Sequence, residues 1–179
     1  TSQELLTAAH IMSRPVHFID ADTSVTDALL VAQRYGHSGI AVQGGGVVVG
    51  IAARRDLDKA IRHGLGHAPV KGIMSRNVVL APESATVEEL RRLMVDANVG
   101  RVPVVVDEAY MQAKRTGRVR VSDVKGIATR TDVLAAFQQP EERREAQAAY
   151  QACMLHPLGE LPFFGPILQA AAALSSSFD

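Results

Sequence analysis

The feature that most constrains this chain is an internal repeat. The segment "IMSRPV" at residues 11–16 returns as "IMSRNV" at 73–78, an offset of 62 residues. The phrase "GIAARRD" at 50–56 returns as "GIATRTD" at 126–132, an offset of 76, so the second copy contains 14 additional residues. Two copies of a unit this long do not form a solenoid, and they predict two similar halves related by a pseudo-twofold axis.

Both copies show the same order of sequence signals, β-α-β-β-α. The first helix of each copy is preceded by a hydroxyl residue that is followed three positions later by a carboxylate. These capping boxes begin at Ser24 and Thr86, and Gly36 and Asn98 suit the left-handed position that ends a helix. The predicted fold class is therefore α/β (α+β), with two β-α-β-β-α repeats whose sheets face a shared cleft.

This pattern divides the chain into three parts. Residues 1–68 contain the first repeat with an N-terminal segment and a linker, residues 69–138 contain the second repeat, and residues 139–179 form a helical tail that looks like a linker toward a following domain. The additional residues fall within 107–125, a polar and basic segment without an evident 3.6-residue apolar period. We expect an extended hairpin or a loop there, either a solvated ribbon or a finger that binds phosphate or a partner.

The composition argues against several classes of function. Lysine plus arginine equals aspartate plus glutamate, 19 against 19, and aromatic residues make up 4% of the chain, which disfavours a nucleic-acid-binding platform. The single cysteine excludes an internal disulfide and fits a reducing compartment, cytoplasmic or organellar, and not a secreted protein. No apolar run approaches the ~18 residues that span a membrane. No nucleophile–base pair or metal-ligand cluster in the sequence indicates catalysis.

The repeated phrase places a strand directly before a helix N-terminus. Free backbone N–H groups and the helix dipole favour an anion there, and an adjacent threonine hydroxyl can donate to a phosphate. An aspartate in the first turn suits a cis-diol such as a ribose, and an arginine supplies a forked donor for phosphate. Together these groups describe a nucleotide site without catalytic residues. The alternative is that both aspartates only complement the dipoles of their helices.

Eight segments in this order resemble a tandem pair of CBS domains, also called a Bateman module. They are "IMSRPV", "SVTDAL", "SGIAV" and "GIAARRD", followed by "IMSRNV", "TVEELRRLM", "VGRVPVV" and "GIATRTD", and they cover about residues 10–138. In a narrower resemblance, "RYGHSGIAV", "RRDLDKAIRHGLGHAPVKGIMSRNVV" and "IATRTDVL" are similar to the CBS pair of multidomain tRNA nucleotidyltransferases, or poly(A)-polymerase-like proteins.

The resemblance implies a regulatory, non-catalytic module that binds an adenosine nucleotide (AMP, ADP or ATP) between the repeats and requires no cofactor or metal. It also implies a homodimer formed through the CBS helices, and catalytic domains of an RNA-processing enzyme that are absent from this chain. One alternative is a structural or dimerising CBS pair with empty sites. Another is a spacer that contacts RNA through the basic residues at 114–125.

Matched position by position, the resemblance implies two unequal nucleotide sites. The first keeps both threonines of the repeated phrase, whereas the second has Ala53 in place of Thr129 and Gly100 in place of Ser38. The first site is therefore expected to bind more tightly. Its residues are Thr129, Arg130, Thr131, Asp132, Ser13, Val16, His37, Ser38 and Gly39, and those of the second site are Arg55, Asp56, Ser75, Val78, Val99, Gly100 and Arg101.

Overall fold

The structure, a computed structural model, describes residues 6–138 of the chain. The described residues up to Val133 belong to one compact unit, which contains the first repeat and the second repeat as far as the first turn of its last helix, and residues 134–138 belong to a second unit that begins at Leu134. The predicted helical tail at 139–179 lies outside the described residues. In the part that is described, every helix is too short or too polar to cross a membrane.

The first repeat has the predicted order of elements. A short helix α1 (Ala8–Ile11) precedes it. The repeat itself consists of β1 (Phe18–Asp20), α2 (Val25–Arg34), β2 (Gly39–Gly44), β3 (Val47–Ala53) and α3 (Arg54–Arg62).

The second repeat follows the same order with one insertion. A 3₁₀ turn at Val70–Gly72 leads into it, and an additional helix separates its last two strands. Its elements are β4 (Ala81–Pro82), α4 (Val87–Ala97), β5 (Arg101–Val105), α5 (Asp107–Thr116), β6 (Val124–Thr129) and α6, which begins at residue 130 and is described through residue 138.

Each repeat forms a three-stranded sheet. In the first sheet β1 pairs in parallel with β2, and β2 pairs antiparallel with β3; in the second, β4, β5 and β6 repeat this arrangement. Parallel neighbours need a crossover connection, which α2 and α4 supply. The predicted α/β class with two β-α-β-β-α repeats is confirmed.

The helix boundaries follow the predicted caps. The Ser24 hydroxyl accepts a hydrogen bond of 3.1 Å from the backbone N–H three residues later. Thr86 and Glu89 form a complete capping box, because the hydroxyl accepts from the Glu89 N–H (3.1 Å) and the carboxylate accepts from the Thr86 N–H (2.9 Å). Gly36 and Asn98 adopt φ values of 66° and 50°, the left-handed conformation expected after α2 and α4.

Apolar side chains of α2 and α3 cover one face of the first sheet. Val25 from α2, Leu57 from α3, and Ile40 and Val42 from β2 are at most 1% exposed and belong to one cluster. Burying each such side chain contributes roughly 1.5–3 kcal/mol. This cluster holds β2 in place, and Gly39 at the start of β2 lines the cleft described below.

The segment that precedes each repeat packs against the other repeat. The Ala8 N–H donates to the Ala85 carbonyl over 2.7 Å, and at the matching position the Val70 N–H donates to the Thr23 carbonyl over 2.7 Å. The Ala8 bond joins the N-terminal segment to the second repeat. The two repeats are therefore interlocked. The division at residue 68, with this segment counted in the first part of the chain, stays a prediction.

Two antiparallel bridges extend this interlocking. Ser13 exchanges backbone hydrogen bonds with Ile127 on β6, and Ser75 does the same with Ile51 on β3. Ser13 matches Ser75 and Ile51 matches Ile127 in the sequence repeat, so the bridges obey the pseudo-twofold relation. Each repeated phrase is thereby held beside the "IMSR" segment of the opposite copy.

The glycine of each repeated phrase makes this contact possible. A Cβ at Gly126 would lie 2.5 Å from the Met12 sulfur, and a Cβ at Gly50 would lie 2.5 Å from the Met74 sulfur. Real Cβ atoms do not approach a neighbour so closely, and close-packed interiors give little room to adjust. Met12, Met74 and Met94 are buried.

The prediction for residues 107–125 is wrong. The additional residues form helix α5 and a 3₁₀ turn (Val121–Asp123), not an extended hairpin or a loop. Ala109, Ala113 and Val119 are buried and pack with Val105 in a second cluster. The helical period is hard to recognise because its buried positions are alanines, set among charged residues. Acidic residues in the first turn, basic residues in the last, and Gly117 with a φ of 68° stabilise the helix ends.

Candidate functional site

A cleft of 230 Å³ opens between the two repeats. One wall comes from the end of β6 and the start of α6, and the other comes from the segments that precede β1 and follow α2. The structure brings together all residues predicted for the first site except Arg130, namely Ser13, Val16, His37, Ser38, Gly39, Thr129, Thr131 and Asp132. These residues are distant in sequence, and the interlocked repeats place them around one space.

Thr129 and Asp132 hold each other in a reciprocal turn at the start of α6. The Asp132 N–H donates to the Thr129 hydroxyl over 3.2 Å, and the Thr129 N–H donates to Asp132 Oδ2 over 3.0 Å. The Ser13 hydroxyl also donates to Oδ2, over 3.4 Å. Among residues 6–138, Oδ1 of Asp132 has no hydrogen-bond partner, so it can accept from a ligand.

Arg101 supplies a cation to the same cleft. The sequence assigned Arg101 to the second site, but its side chain lines the first, where Nη2 donates to the Ser38 carbonyl over 2.7 Å. The guanidinium occupies the space that a Cβ at Gly39 would fill. Glycine at position 39 therefore lets Arg101 reach across the boundary between the repeats.

The Arg101 guanidinium is not fully compensated. Burial lowers its pKa below the usual arginine value, repulsion from Arg55 and Arg130 lowers it further, and Asp56 partly offsets these effects. Its Nε is buried and has no hydrogen-bond partner in the described part of the chain. Because an arginine stays charged in proteins, the wall of the cleft favours an anion.

Arg130 is the predicted residue that does not line the first cleft. Its N–H donates to the Gly100 carbonyl over 3.1 Å, and its side chain lies against Gly100, in the predicted second site. Arg130 thus lies away from the first site, to which sequence matching assigned it, and Arg101, although it stays near Arg55 and Asp56, lines the first cleft. Matching fixes the backbone position, but not the direction in which a long side chain leaves it.

Two residues that the sequence analysis did not select lie beside the first cleft. The rings of His17 and Tyr35 stack with centroids 3.6 Å apart and an interplanar angle of 8°, and His37 lies 5.5 Å from His17. Burial lowers the pKa of His37, and the neighbouring His17 lowers it further. His17 directly follows the predicted site residue Val16, and this position in the sequence could have indicated that it lies at the site.

The second predicted site has fewer polar groups. Ala53 makes no side-chain cap at the start of α3. Ser75 forms the same backbone bridge as Ser13, but within residues 6–138 no hydrogen bond joins its hydroxyl to Asp56. In the same part of the chain, no group of His, Cys, Asp or Glu is arranged to hold a metal ion. The other predicted residues, Arg55, Val78, Val99 and Gly100, lie on α3 or on the loops that match those of the first cleft.

Comparison with known proteins identifies relatives of this fold. The family model described as "CBS domain" matches residues 8–63 and 70–139. The chain is 29% identical to the A-adding tRNA nucleotidyltransferase of Geobacter sulfurreducens, over 80% of this chain and 15% of that protein. It is 30% identical to the inosine-5'-monophosphate dehydrogenase of Methanocaldococcus jannaschii, over 80% of this chain and 26% of that protein. The chain thus spans only a small part of the length of these relatives.

Solved CBS structures agree in fold. The CBS domain pair of protein MJ0100, in complex with 5'-methylthioadenosine and S-adenosyl-L-methionine, has a TM-score of 0.62 at 25% identity, covering 75% of this chain and 98% of that one. CBSX2 in complex with AMP has a TM-score of 0.58 at 23% identity, covering 75% of this chain and 98% of that one. Since the family model matches both repeats and most of the chain, this protein belongs to the CBS domain family, with one CBS domain in each repeat.

Proposed function

We propose that this chain is a regulatory, non-catalytic CBS pair that binds an adenosine nucleotide in the first cleft. The observation that carries the proposal is the convergence there of the Thr129 and Thr131 hydroxyls, the Asp132 carboxylate and the half-buried Arg101 guanidinium. These groups come from the second repeat, and Ser13, Val16 and Ser38 of the first repeat complete the cleft. Together they match the separate parts of a nucleotide.

The phosphate is assigned to the start of α6. The first N–H groups of this helix and its dipole favour a negative charge, and the two threonine hydroxyls can donate to phosphate oxygens. Arg101 adds a cation whose burial lowers its pKa and whose Nε lacks a partner in the described residues. A bound anion would offset the repulsion that Arg101 experiences from Arg55 and Arg130.

The nucleoside is assigned to the remaining walls. Oδ1 of Asp132 can accept from a ribose hydroxyl, because Oδ2 already binds Ser13 and the Thr129 N–H. Val16 and Ile127 provide apolar surface for the base. Of the relatives compared above, one solved pair contains AMP and the other contains two adenosine derivatives, which supports adenosine as the shared part of the ligand.

Regulation would act through the boundary between the repeats. The Ser13–Asp132 and Ser38–Arg101 hydrogen bonds both cross this boundary at the cleft. A ligand that binds one arrangement of the two repeats more tightly than another shifts the population toward it. The similarity to an A-adding tRNA nucleotidyltransferase supports an RNA-processing nucleotidyltransferase as the parent protein, and the similarity to an inosine-5'-monophosphate dehydrogenase defines the competing parent.

The test is a calorimetric titration of the chain with AMP, ADP, ATP and S-adenosylmethionine at fixed salt. We expect at least one phosphorylated adenosine to bind, with ribose 5-phosphate as a much weaker control because it lacks the base. If S-adenosylmethionine were the only one of the four compounds to bind, the cleft would still be an adenosine site, but its ligand would not be a nucleotide. Absence of binding by all four compounds would reject the proposal and favour a purely structural CBS pair.

A homodimer through the CBS helices is a further part of the proposal. Leu30 on α2 and Val95 on α4 are 57% and 65% exposed, so an interface formed by these helices would cover them. Light scattering coupled to size exclusion tests it on the unsubstituted chain and on a Leu30→Glu/Val95→Glu variant. If the unsubstituted chain is monomeric, the dimer is excluded.

The reducing compartment suggested by the single cysteine stays a prediction.

A further inference from the structure

A second cavity, of 520 Å³, lies between α5 with the segment that follows it and the start of β3. It shares no lining residue with the first cleft. The additional residues of the second repeat build most of it, and the first repeat has only a tight turn at Gly45 and Gly46 in the matching place. The cavity therefore breaks the pseudo-symmetry of the pair.

The wall of this cavity is firmly attached to the first repeat. After Gly117 the chain reverses, and the Thr116 hydroxyl accepts from the Arg118 N–H over 3.3 Å. The Val48 N–H then donates to the Val119 carbonyl over 3.0 Å, and a second backbone bond follows two residues later. Val119 is 6% exposed and packs into the second cluster, so the segment 117–123 is held from both sides.

This arrangement directs three arginines to one cavity. Arg118 and Arg120 flank the buried Val119, and both line the cavity. Arg115 reaches the same cavity from the last turn of α5. Asp123 is the single carboxylate among the lining residues. Within residues 6–138, none of these four side chains forms an ion pair.

The chemistry of the lining selects a phosphorylated ligand. Guanidinium groups bind phosphate oxygens through paired hydrogen bonds, and three of them against one carboxylate leave an excess of two positive charges. Val47 and Ala109 add apolar surface between the charges. The cavity volume falls within the range of about 300–1,000 Å³ found for small-molecule sites.

We infer that this cavity is a second ligand site, for a compact anion that carries two or more phosphate groups. A single phosphate would engage only part of the three guanidinium groups. An RNA strand is the alternative occupant of a basic surface, but the site is concave, the chain has no net charge, and aromatic residues make up only 4% of it, which leaves few platforms for stacked bases.

The experiment titrates inorganic tripolyphosphate, with inorganic phosphate for comparison, into three forms of the full chain. These are the parent, Arg118→Gln/Arg120→Gln, and the control Lys59→Gln/Arg62→Gln, which removes the same charge from exposed positions of α3. We expect the cavity variant to bind tripolyphosphate at least about tenfold more weakly than the parent, since it loses the charged hydrogen bonds of two guanidinium groups. The control should bind it as the parent does.

Three results would overturn the inference. The first is no tripolyphosphate binding by the parent chain. The second is equal weakening in the cavity variant and in the α3 control, which would indicate a general charge effect. The third is binding of a single-stranded RNA oligonucleotide, but not of tripolyphosphate, with the RNA affinity lost in the cavity variant. Thermal unfolding of each variant, which should match the parent because both arginines are exposed, separates loss of binding from loss of folding.

Discussion

Arg101, in the second repeat, donates a hydrogen bond of 2.7 Å to the carbonyl of Ser38 in the first. The guanidinium also fills the space above Gly39 that any other residue would take with its Cβ. The charge of the first cleft thus depends on an arginine that the repeat assigns to the second. The second site has Ala53 and Gly100 where the first has the hydroxyl residues Thr129 and Ser38, and the Arg101 side chain lines the first cleft. Both differences favour the first cleft as the anion site.

Replacing Arg101 tests this relationship. Arg101→Met keeps most of the volume and removes the charge, so we expect AMP to bind about ten- to a hundredfold more weakly. Stability should change little, because a half-buried guanidinium that is repelled by two other arginines gains little from its burial. Calorimetric titration and thermal unfolding measure the two effects. Unchanged AMP affinity would show that Arg101 does not contribute to binding.

Gly39→Ala addresses the same contact from the other side. The new Cβ would displace the guanidinium, so AMP affinity should fall in the parent chain and fall much less in an Arg101→Met background. A double-mutant cycle measures this coupling. Gly72→Ala is the control, because nothing lies within 4 Å of a Cβ there. Additive effects of Gly39→Ala and Arg101→Met would contradict a direct contact.

The two aspartates of the repeated phrase should contribute unequally. Asp132→Ala removes the carboxylate assigned to the ribose and should weaken AMP binding at least about tenfold, whereas Asp56→Ala should have a smaller effect. Asp132 also receives hydrogen bonds from Ser13 and the Thr129 N–H, so thermal unfolding of each variant must accompany the titration. Equal losses of affinity in two folded variants would reject the asymmetry of the clefts.

Binding of a phosphorylated ligand should depend on pH through His37. Burial and the nearby His17 lower the pKa of His37, so its ring is neutral near pH 7, and an anion in the cleft would raise this pKa. Proton uptake should therefore accompany binding, and the affinity should rise as the pH falls below about 6.5. The nucleotide phosphate titrates near the same pH, so His37→Gln is the control. Calorimetry in two buffers with different ionisation enthalpies counts the protons. The same proton uptake in both proteins would exclude His37.

His37 should also make the free chain less stable in acid. The lowered pKa means that the unfolded chain binds more protons than the folded chain between the folded value and about 6.5. The free energy of unfolding therefore rises with pH through this interval, and the contribution is lost as the pH falls through the folded pKa. Urea titrations of the parent and of His37→Gln below and above this interval measure it. If His37→Gln lost more stability on acidification than the parent does, this prediction would be contradicted.

The sequence predicted backbone order well and side-chain direction poorly. The repeat, its capping boxes and its glycines specify local structure, and local structure determines how the strands pair. The residues of the first cleft came together because Ser13, Ser38 and Thr129 occupy repeat-matched backbone positions. Arg101 and Arg130 did not follow, because the path of a long side chain depends on the space left by residues such as Gly39 and Gly100, which are distant in sequence.

Helix α5 was hidden for a different reason. Its buried face consists of Ala109 and Ala113, and alanine adds little to an apolar pattern although it is the strongest helix former. The largest buried side chain of the insertion, Val119, lies beyond the helix and packs against Val48 of the first repeat. That contact depends on the arrangement of the repeats, so no pattern within residues 107–125 indicates it.

The interlocking of the repeats should be sensitive to a single methyl group at Gly126. Gly126→Ala places a Cβ against the Met12 sulfur, Cγ and Cβ, and overpacking of this kind costs about 1–3 kcal/mol. Gly72→Ala is again the matched control and should stay within about 0.5 kcal/mol of the parent. Urea unfolding measures both. If Gly126→Ala were as stable as Gly72→Ala, the Met12 side chain would be free to move, and the close approach would not be required for the fold.

The additional residues within 107–125 should contribute to the stability of the fold as well as line the second cavity. Val119→Ala removes two methyl groups from a side chain that is 6% exposed, and the lost burial and the resulting cavity should cost about 2 kcal/mol. For a chain of this length that corresponds to a decrease in Tm of roughly 4–8 °C. Met111→Ala is the control on α5, because Met111 is 61% exposed and its truncation should change stability by no more than about 0.5 kcal/mol. Equal stability of the two variants would mean that α5 and its following segment do not pack on the first repeat, and the second cavity would then lose one of its walls.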